Sequence, residues 1–262
     1  MIQRNAITEW RETAHWNDPR YIEQDMLLSR ALISIFMDEY LFAKLAFRGG
    51  TAIHKLFLAP QTRFSEDLDF VQIDAEPIGQ VLGKIRSAMS FLGDPKTKQK
   101  TSNNTLVYRY EAEEPKGAVS RLKIEINSRE HIAVHDREIR QFKMENQWFT
   151  GACNIVTYHF DELIGSKIRA LYQRKKGRDL FDLHAALNSG LLDVSAAIDC
   201  YKQYMTFIGN RIPTAAEYAN NLEEKMSDFN FRNDILPFLA QGVDYDIDEA
   251  YKTVREKIVN TM

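Results

Sequence analysis

Cysteine is scarce in this chain: two residues in 262, Cys153 and Cys200, far apart and with no CxxC pair. That excludes a disulfide framework and a thiolate zinc site, and it fits a reducing compartment. The six histidines are scattered, without HExxH spacing or a Cys/His pairing, so zinc chemistry has no ligand set here. Long apolar runs are missing as well. The strongest early one, Ala31 to Met37, is far too short to span a bilayer. The opening MIQRNAITEWRE has no apolar signal-peptide core, so a cytoplasmic protein with no membrane attachment is expected. Charge of one sign is not in excess. A formal net charge of −3 argues against non-specific coating of nucleic acid, while a local basic groove stays open because binding follows the charge distribution. Asp244, Asp246 and Asp248 have calcium-loop spacing, but the glycine and final glutamate of such a loop are missing. No internal repeat or low-complexity tract is present.

What is there is an ordinary globular composition, 44% hydrophobic and 27% charged, with length for one large domain or two small ones. From Pro19 to about Phe47 apolar residues recur at helical spacing (Leu27, Leu28, Ala31, Leu32, Ile35, Phe36, Tyr40, Leu41), which predicts one long amphipathic helix or two shorter ones. Gly49-Gly50 breaks that pattern, Thr51 is placed to cap a short helix through Phe57, and Leu68 to Ile73 alternates as a strand. Ile78 to Leu92 reads as a second helix. A hairpin follows, with arms Thr105 to Ala112 and Ala118 to Asn127 around a Glu-Glu-Pro-Lys-Gly turn. From Tyr158 the pattern is helical, broken at Lys175-Lys176-Gly177 and later at Pro213 and Pro237. The fold class expected is α+β: a mixed α/β domain over residues 1–150, then a helical domain over 151–262.

The chemistry concentrates in Asp67-Leu68-Asp69. Alternate residues of a strand share a face, so these two acids would sit side by side and repel unless a cation lies between them. A bare DxD is common, and a solvated strand edge is its plain explanation. The surroundings favour more. The Gly49-Gly50 pair allows close approach of a bulky anion such as a nucleoside triphosphate. In the second hairpin arm, Leu122, Ile124 and Ile126 should face the core, leaving Lys123 and Glu125 on the other side, so Glu125 is a candidate third carboxylate. Three carboxylates on adjacent strands can hold magnesium, which takes oxygen ligands, with manganese as the substitute ion.

Lys167 sits at the edge of a helical apolar stripe between Ile164 and Leu171. It either snorkels to water or reaches into an anionic pocket. The run from Ser166 to Arg178 carries Lys167, Arg169, Arg174, Lys175, Lys176 and Arg178 with no acid among them, and one-sign clustering favours phosphate binding. Asp179 and Asp182, one helical turn apart, are either a cap with a surface ion pair or acids that orient the basic residues or act as a base. Ser65 is a turn residue whose hydroxyl is within reach of a phosphate.

Taken in order, Phe47-Arg-Gly-Gly-Thr-Ala-Ile-His-Lys55, Arg63-Phe-Ser-Glu-Asp-Leu-Asp-Phe70, Lys167-Ile-Arg-Ala-Leu and Lys176-Gly-Arg-Asp-Leu-Phe-Asp-Leu183 resemble the AbiEii/AbiGii nucleotidyltransferase toxins across roughly residues 40 to 190. The resemblance implies a polymerase-β-like nucleotidyltransferase core with a helical C-terminal region. It also implies the toxin half of an antitoxin-paired, abortive-infection system, some members of which transfer nucleotides from an NTP to the acceptor end of tRNA. Carried over by motif, Gly49, Gly50 and Lys55 belong to the first nucleotide-binding motif. Ser65, Asp67 and Asp69 match the serine and the metal-binding acids, and Glu125 matches the third carboxylate. Lys167 matches the essential lysine, Asp179 or Asp182 the late aspartate, and Arg178 joins the bases around the triphosphate. One departure is that Gly-Gly-Thr stands where the wider superfamily has Gly-Ser, so Thr51 would replace that serine.

The expectation is therefore a magnesium-dependent nucleotidyltransferase that uses an NTP, has a tRNA acceptor and is paired with a cognate antitoxin. The competing readings are a small-molecule nucleotidyltransferase of the antibiotic-modifying kind, a metal nuclease, and a non-catalytic nucleotide-binding protein.

Overall fold

A computed structural model describes residues 2–100, 102–113 and 115–262; Glu114 of the expected hairpin turn lies outside the described residues. The chain divides into two units, one of residues 1–133 and 137–158 and one of residues 134–136 and 159–262.

The first unit is built on a mixed sheet with helices. Its elements are α1 (Arg4–Trp10), α2 (Pro19–Phe36), α3 (Glu39–Lys44), β1 (Leu45–Arg48), α4 (Gly49–Leu56), β2 (Asp67–Gln72), α5 (Gly79–Ala88), β3 (Lys96–Gln99), β4 (Asn103–Glu111), β5 (Val119–Asn127), β6 (Glu138–Met144) and β7 (Gly151–Thr157). The seven strands lie in the order β3-β4-β5-β2-β1-β7-β6. Pairing is antiparallel except between β2 and β5 and between β1 and β7, which run parallel.

The α2 stripe is read correctly from spacing: Leu27, Leu28, Ala31, Leu32 and Ile35 are all buried. Pro19 opens the helix, and the Asp18 side chain accepts from the Arg20 N–H. Asp38 caps α3 in the same way through the Leu41 N–H. The expected helix to Phe47 stops short, because Leu45–Arg48 is strand β1. Leu45, Ala46 and Phe47 are all fully buried, and a short apolar run buried on both faces has no period by which to tell strand from helix. Thr51 lies inside the first turn of α4 and is not its cap. The expected helix over 78–92 is α5 followed by a 3-10 turn at Ser90–Leu92. The hairpin β4–β5 is as expected, with Leu122, Ile124 and Ile126 fully buried.

Strands β6 and β7 have no counterpart in the sequence reading, and the switch to helices comes at Phe160 instead of near residue 150. The edge strand β6 is largely exposed and so lacks the hydrophobic alternation that marks a half-buried strand.

The loop into β2 is anchored by Phe64, which is fully buried. Its ring stacks on Tyr21 with centroids 4.4 Å apart and meets Trp16 edge-on at 5.7 Å. This fixes the chain at the point where it delivers Ser65 and Asp67.

The second unit is helical: α6 (Phe160–Gln173), α7 (Gly177–Asn188), α8 (Val194–Phe207), α9 (Ala215–Met226), α10 (Phe229–Asn233) and α11 (Ile247–Lys257). Glu162 of α6 accepts from the backbone N–H groups of Val134 and His135, and the Tyr204 hydroxyl of α8 donates to it at 2.7 Å. Among the described residues no helix is long and apolar enough to cross a membrane.

Phe64→Ala removes a buried ring with two aromatic neighbours and should cost about 3 kcal/mol of stability. Guanidinium unfolding followed by tryptophan fluorescence reads this, and a loss below about 1 kcal/mol would show that the loop is held by something else.

Candidate active site

The parallel pairing of β2 and β5 sets Asp67 opposite Lys123 and Asp69 opposite Glu125. Leu68, Phe70, Ile124 and Ile126 bury the other face of both strands, so the three carboxylates are turned together onto one face of the sheet. β1 places Arg48 opposite Asp69 on the other flank, and Arg48 Nη1 donates to Glu130 Oε2 at 2.9 Å. The ammonium of Lys123 stands among the acids, 2.7 Å from Asp67 Oδ2 and 3.5 Å from Glu125 Oε1. Sequence alternation put Lys123 and Glu125 on one side of β5. Only the register shows that Lys123 faces Asp67.

The two glycines make this packing possible. Gly49 has a positive φ of 82°, and a Cβ there would lie 2.4 Å from Asp69 Oδ2. At Gly50 a Cβ would lie 2.3 Å from Arg63 Nη2 and 3.2 Å from Ser65 Oγ. The clearance expected for a bulky anion is thus taken, on this side of the backbone, by Asp69 and Arg63. Arg63 was not singled out in the sequence; it is buried at 1% exposure, and Nη1 donates to its neighbour's carbonyl, Phe64 O, at 2.9 Å. Thr51 Oγ1 lies 2.5 Å from the Asp67 carbonyl and 2.8 Å from Ser65 Oγ. A carbonyl only accepts, so Thr51 donates to Asp67 O and receives the proton of Ser65. Both hydroxyls therefore lock the start of β2 to the first turn of α4.

Lys55 is elsewhere engaged. Its Nζ donates to Asp25 Oδ1 at 2.8 Å and to Ser29 Oγ at 3.0 Å, and its side chain is only 3% exposed. The other Asp25 oxygen accepts from Trp10 Nε1 at 2.9 Å, so this buried pair ties α4 to α2 and α1.

In the helical unit, Lys167 Nζ lies 3.0 Å from Asp179 Oδ1 and 2.7 Å from Asp182 Oδ2. Both acids are fully buried, so neither is the surface cap considered above; they hold the lysine. Arg174 closes on Asp179 with two bonds, Nε to Oδ2 at 2.6 Å and Nη2 to Oδ1 at 2.7 Å. Burial pushes the Asp179 carboxyl up, but Lys167 and Arg174 more than offset it and keep it below the usual carboxylate range. The rest of the basic run is also answered within this unit. Lys175 pairs with Asp228, Lys176 and Arg178 pair with Asp234, and the Arg169 guanidinium lies 5.2 Å from the centre of the Tyr204 ring. One-sign clustering in the sequence is complemented in three dimensions by acids from the segment that follows.

The donor set on the sheet face is all oxygen and suits a hard divalent ion. Burial pushes Asp67 up to about 6; Lys123 opposes this, while Asp69 and Glu66 add to it. A partly desolvated carboxylate beside two others is the environment that a cation relieves. Among the described residues, no three such ligands already converge on one point, and the Lys123 ammonium occupies the space between Asp67 and Glu125.

Residues 30–257 match the profile of the family described as nucleotidyl transferase AbiEii toxin, type IV TA system. Solved structures share the fold. JHP933 from Helicobacter pylori superposes with a TM-score of 0.57 at 19% identity, covering 92% of this chain and 94% of its own. A putative nucleotidyltransferase from H. pylori gives 0.57 at 20% identity, over 92% and 97%. MenT4, a nucleotidyltransferase toxin from Mycobacterium tuberculosis H37Rv, gives 0.62 at 15% identity, over 100% and 91%. No curated protein sequence matches the chain.

Two outcomes follow for stability. Asp67 has a folded pKa raised from 3.8 to about 6, so the stability this group contributes is complete below about pH 4 and lost as pH rises through 6. In chelator, Asp67→Asn should therefore melt above the wild type at pH 7.5, with the gap closing as pH falls toward 4; a gap independent of pH would refute the burial effect. Lys55→Met strands Asp25 as an unpaired buried charge and should cost about 3 kcal/mol in chemical denaturation.

Proposed function

The chain belongs to the AbiEii family of nucleotidyltransferase toxins of type IV toxin–antitoxin systems, and from that premise we propose that it transfers a nucleotide from a magnesium-bound NTP to an RNA acceptor, tRNA in the first instance. The observation that carries this reading is the β2–β5 register, which turns Asp67, Asp69 and Glu125 onto one sheet face. Asp67 and Asp69 would hold the divalent ion, with Glu125 completing the set. Bound there, magnesium supplies charge neutralisation of the triphosphate and of the departing pyrophosphate, and manganese is the substitute ion.

The protein's own groups do the remaining work. Glu125 takes the proton of the acceptor hydroxyl as that oxygen attacks the α-phosphorus. The first turn of α4, at Gly50 and Thr51, would offer a positive helix end to phosphate oxygens. The Thr51–Ser65 hydroxyl pair keeps this turn and Asp67 in fixed relation. Within the helical unit Asp179 and Asp182 fix the Lys167 ammonium, and the assignment of all three here is to order that unit. Arg178 is already committed to Asp234, and Lys55 to Asp25, so their assignment here is to hold the scaffold and not to contact nucleotide. In the cell a cognate antitoxin would keep this activity in check.

Incubation with each α-labelled NTP, magnesium and total RNA should move label into a tRNA-sized band with release of pyrophosphate. Asp69→Asn should reduce transfer by about 10³-fold or more, and Asp67→Ala should relieve growth arrest on expression. If label reaches only small acceptors, the RNA assignment fails. If RNA is cut without NTP, the protein is a nuclease. If no label moves and Asp67→Ala stays toxic, the whole reading falls.

A further inference from the structure

Lys55, Lys167 and Lys123 each hold carboxylates, but their surroundings differ. The first two are sealed, with side chains 3% and 6% exposed against carboxylates at 2% or less. Lys123 and Asp67 are each 34% exposed, and Glu125 is 32% exposed. A lysine ammonium on a flexible four-carbon stem in that setting can rotate into water without opening the fold. An ion pair this accessible is worth only about 0–1 kcal/mol, so leaving it is cheap. For Lys55 or Lys167 the same departure would strand a buried carboxylate at several times that cost.

Charge makes the exchange favourable. Asp67, Asp69 and Glu125 together carry three negative charges; the single charge of Lys123 is shared between Asp67 and Glu125, while Arg48 of β1 acts on Asp69. Its ammonium lies within hydrogen-bond distance of Asp67 and 3.5 Å from Glu125, in the space a ligand shared by the two would occupy.

We propose that Lys123 is a built-in counter-cation of the carboxylate face, which must leave Asp67 before a divalent ion can bind, so that metal loading is a cation exchange. This rests on the assignment of Asp67, Asp69 and Glu125 as metal ligands. In the resting protein Lys123 quenches repulsion between the acids and keeps the face closed. On loading it swings to solvent on the same face, and the exchange makes the enzyme less responsive to low free divalent ion than its acids alone would be.

The test is manganese binding by the full chain without nucleotide, counted from the loss of the free-ion paramagnetic resonance signal. Lys123→Met should bind manganese about fivefold more tightly than the wild type, since it removes a competing charge worth about 1 kcal/mol. It should also melt lower in chelator and show a larger rise in melting temperature on adding manganese. Lys123→Gln, which stays polar at similar length, should follow in the same direction, and Lys123→Arg should not. Asp69→Asn should abolish the tight site in all backgrounds. If both neutral variants bind manganese no more tightly than wild type while Asp69→Asn still abolishes the site, the role of Lys123 is overturned and the metal assignment stands. If no manganese site sensitive to Asp69→Asn exists in any variant, the metal assignment itself fails and the exchange with it.

Discussion

The register between β2 and β5 is the constraint on which the candidate site depends. A one-residue slip of β2 would bury Asp67 and Asp69 and turn Leu68 and Phe70 to the outside, and a slip of β5 would bury Glu125 and turn out Ile124 and Ile126. Each of those four apolar side chains contributes about 1.5–3 kcal/mol when fully buried. Repulsion between two like unit charges in partly exposed settings amounts to only about 1–4 kcal/mol even at about 4 Å. Burial on one face therefore wins and holds like charges together on the other. The raised pKa of Asp67 comes first from its desolvation and to a smaller degree from the neighbouring acids, and the ammonium of Lys123 is its partial relief.

The same opposition of burial and charge is resolved differently in three places. In the first unit, Lys55 and Asp25 form a closed pair beneath α4, completed by Ser29 and Trp10, and their charges work as scaffold. In the helical unit, Lys167 shares two buried acids, and Arg174 supplies a second cation for one of them. On the sheet face the set is left half-open. Degree of exposure, more than residue type, separates a lysine that fastens helices from one that can change partners.

Much of the architecture was legible in the chain. The α2 stripe, β2, and the β4–β5 hairpin all carry a clear period because each has one buried and one wetter face. β1 was not legible because it is buried on both faces, and β6 was not because it is an exposed edge. The Gly49-Gly50 pair was recognisable as a close-approach device, while the packing of Asp69 and Arg63 where Cβ atoms on the glycines would stand is visible only in the structure. Arg63 had no sequence signal beyond its place in the Arg63-Phe64-Ser65 motif, since a buried arginine is defined by what packs over it. The basic run of 166–178 is the clearest lesson in locality. Its bases looked unanswered because Asp182, Asp228 and Asp234 come from outside the window, and only folding pairs them.

By itself the sequence determined the family, the α+β class and the identity of the acids, because these reside in short motifs and in the period of hydrophobic residues. Which charges meet was decided only by the tertiary structure. Strand register and helix packing bring together residues far apart in the chain, and Coulomb energy depends on that distance in space. Lys123 is the plainest case: along the chain it is a lysine next to a buried isoleucine, and in the sheet it is the cation among the three acids.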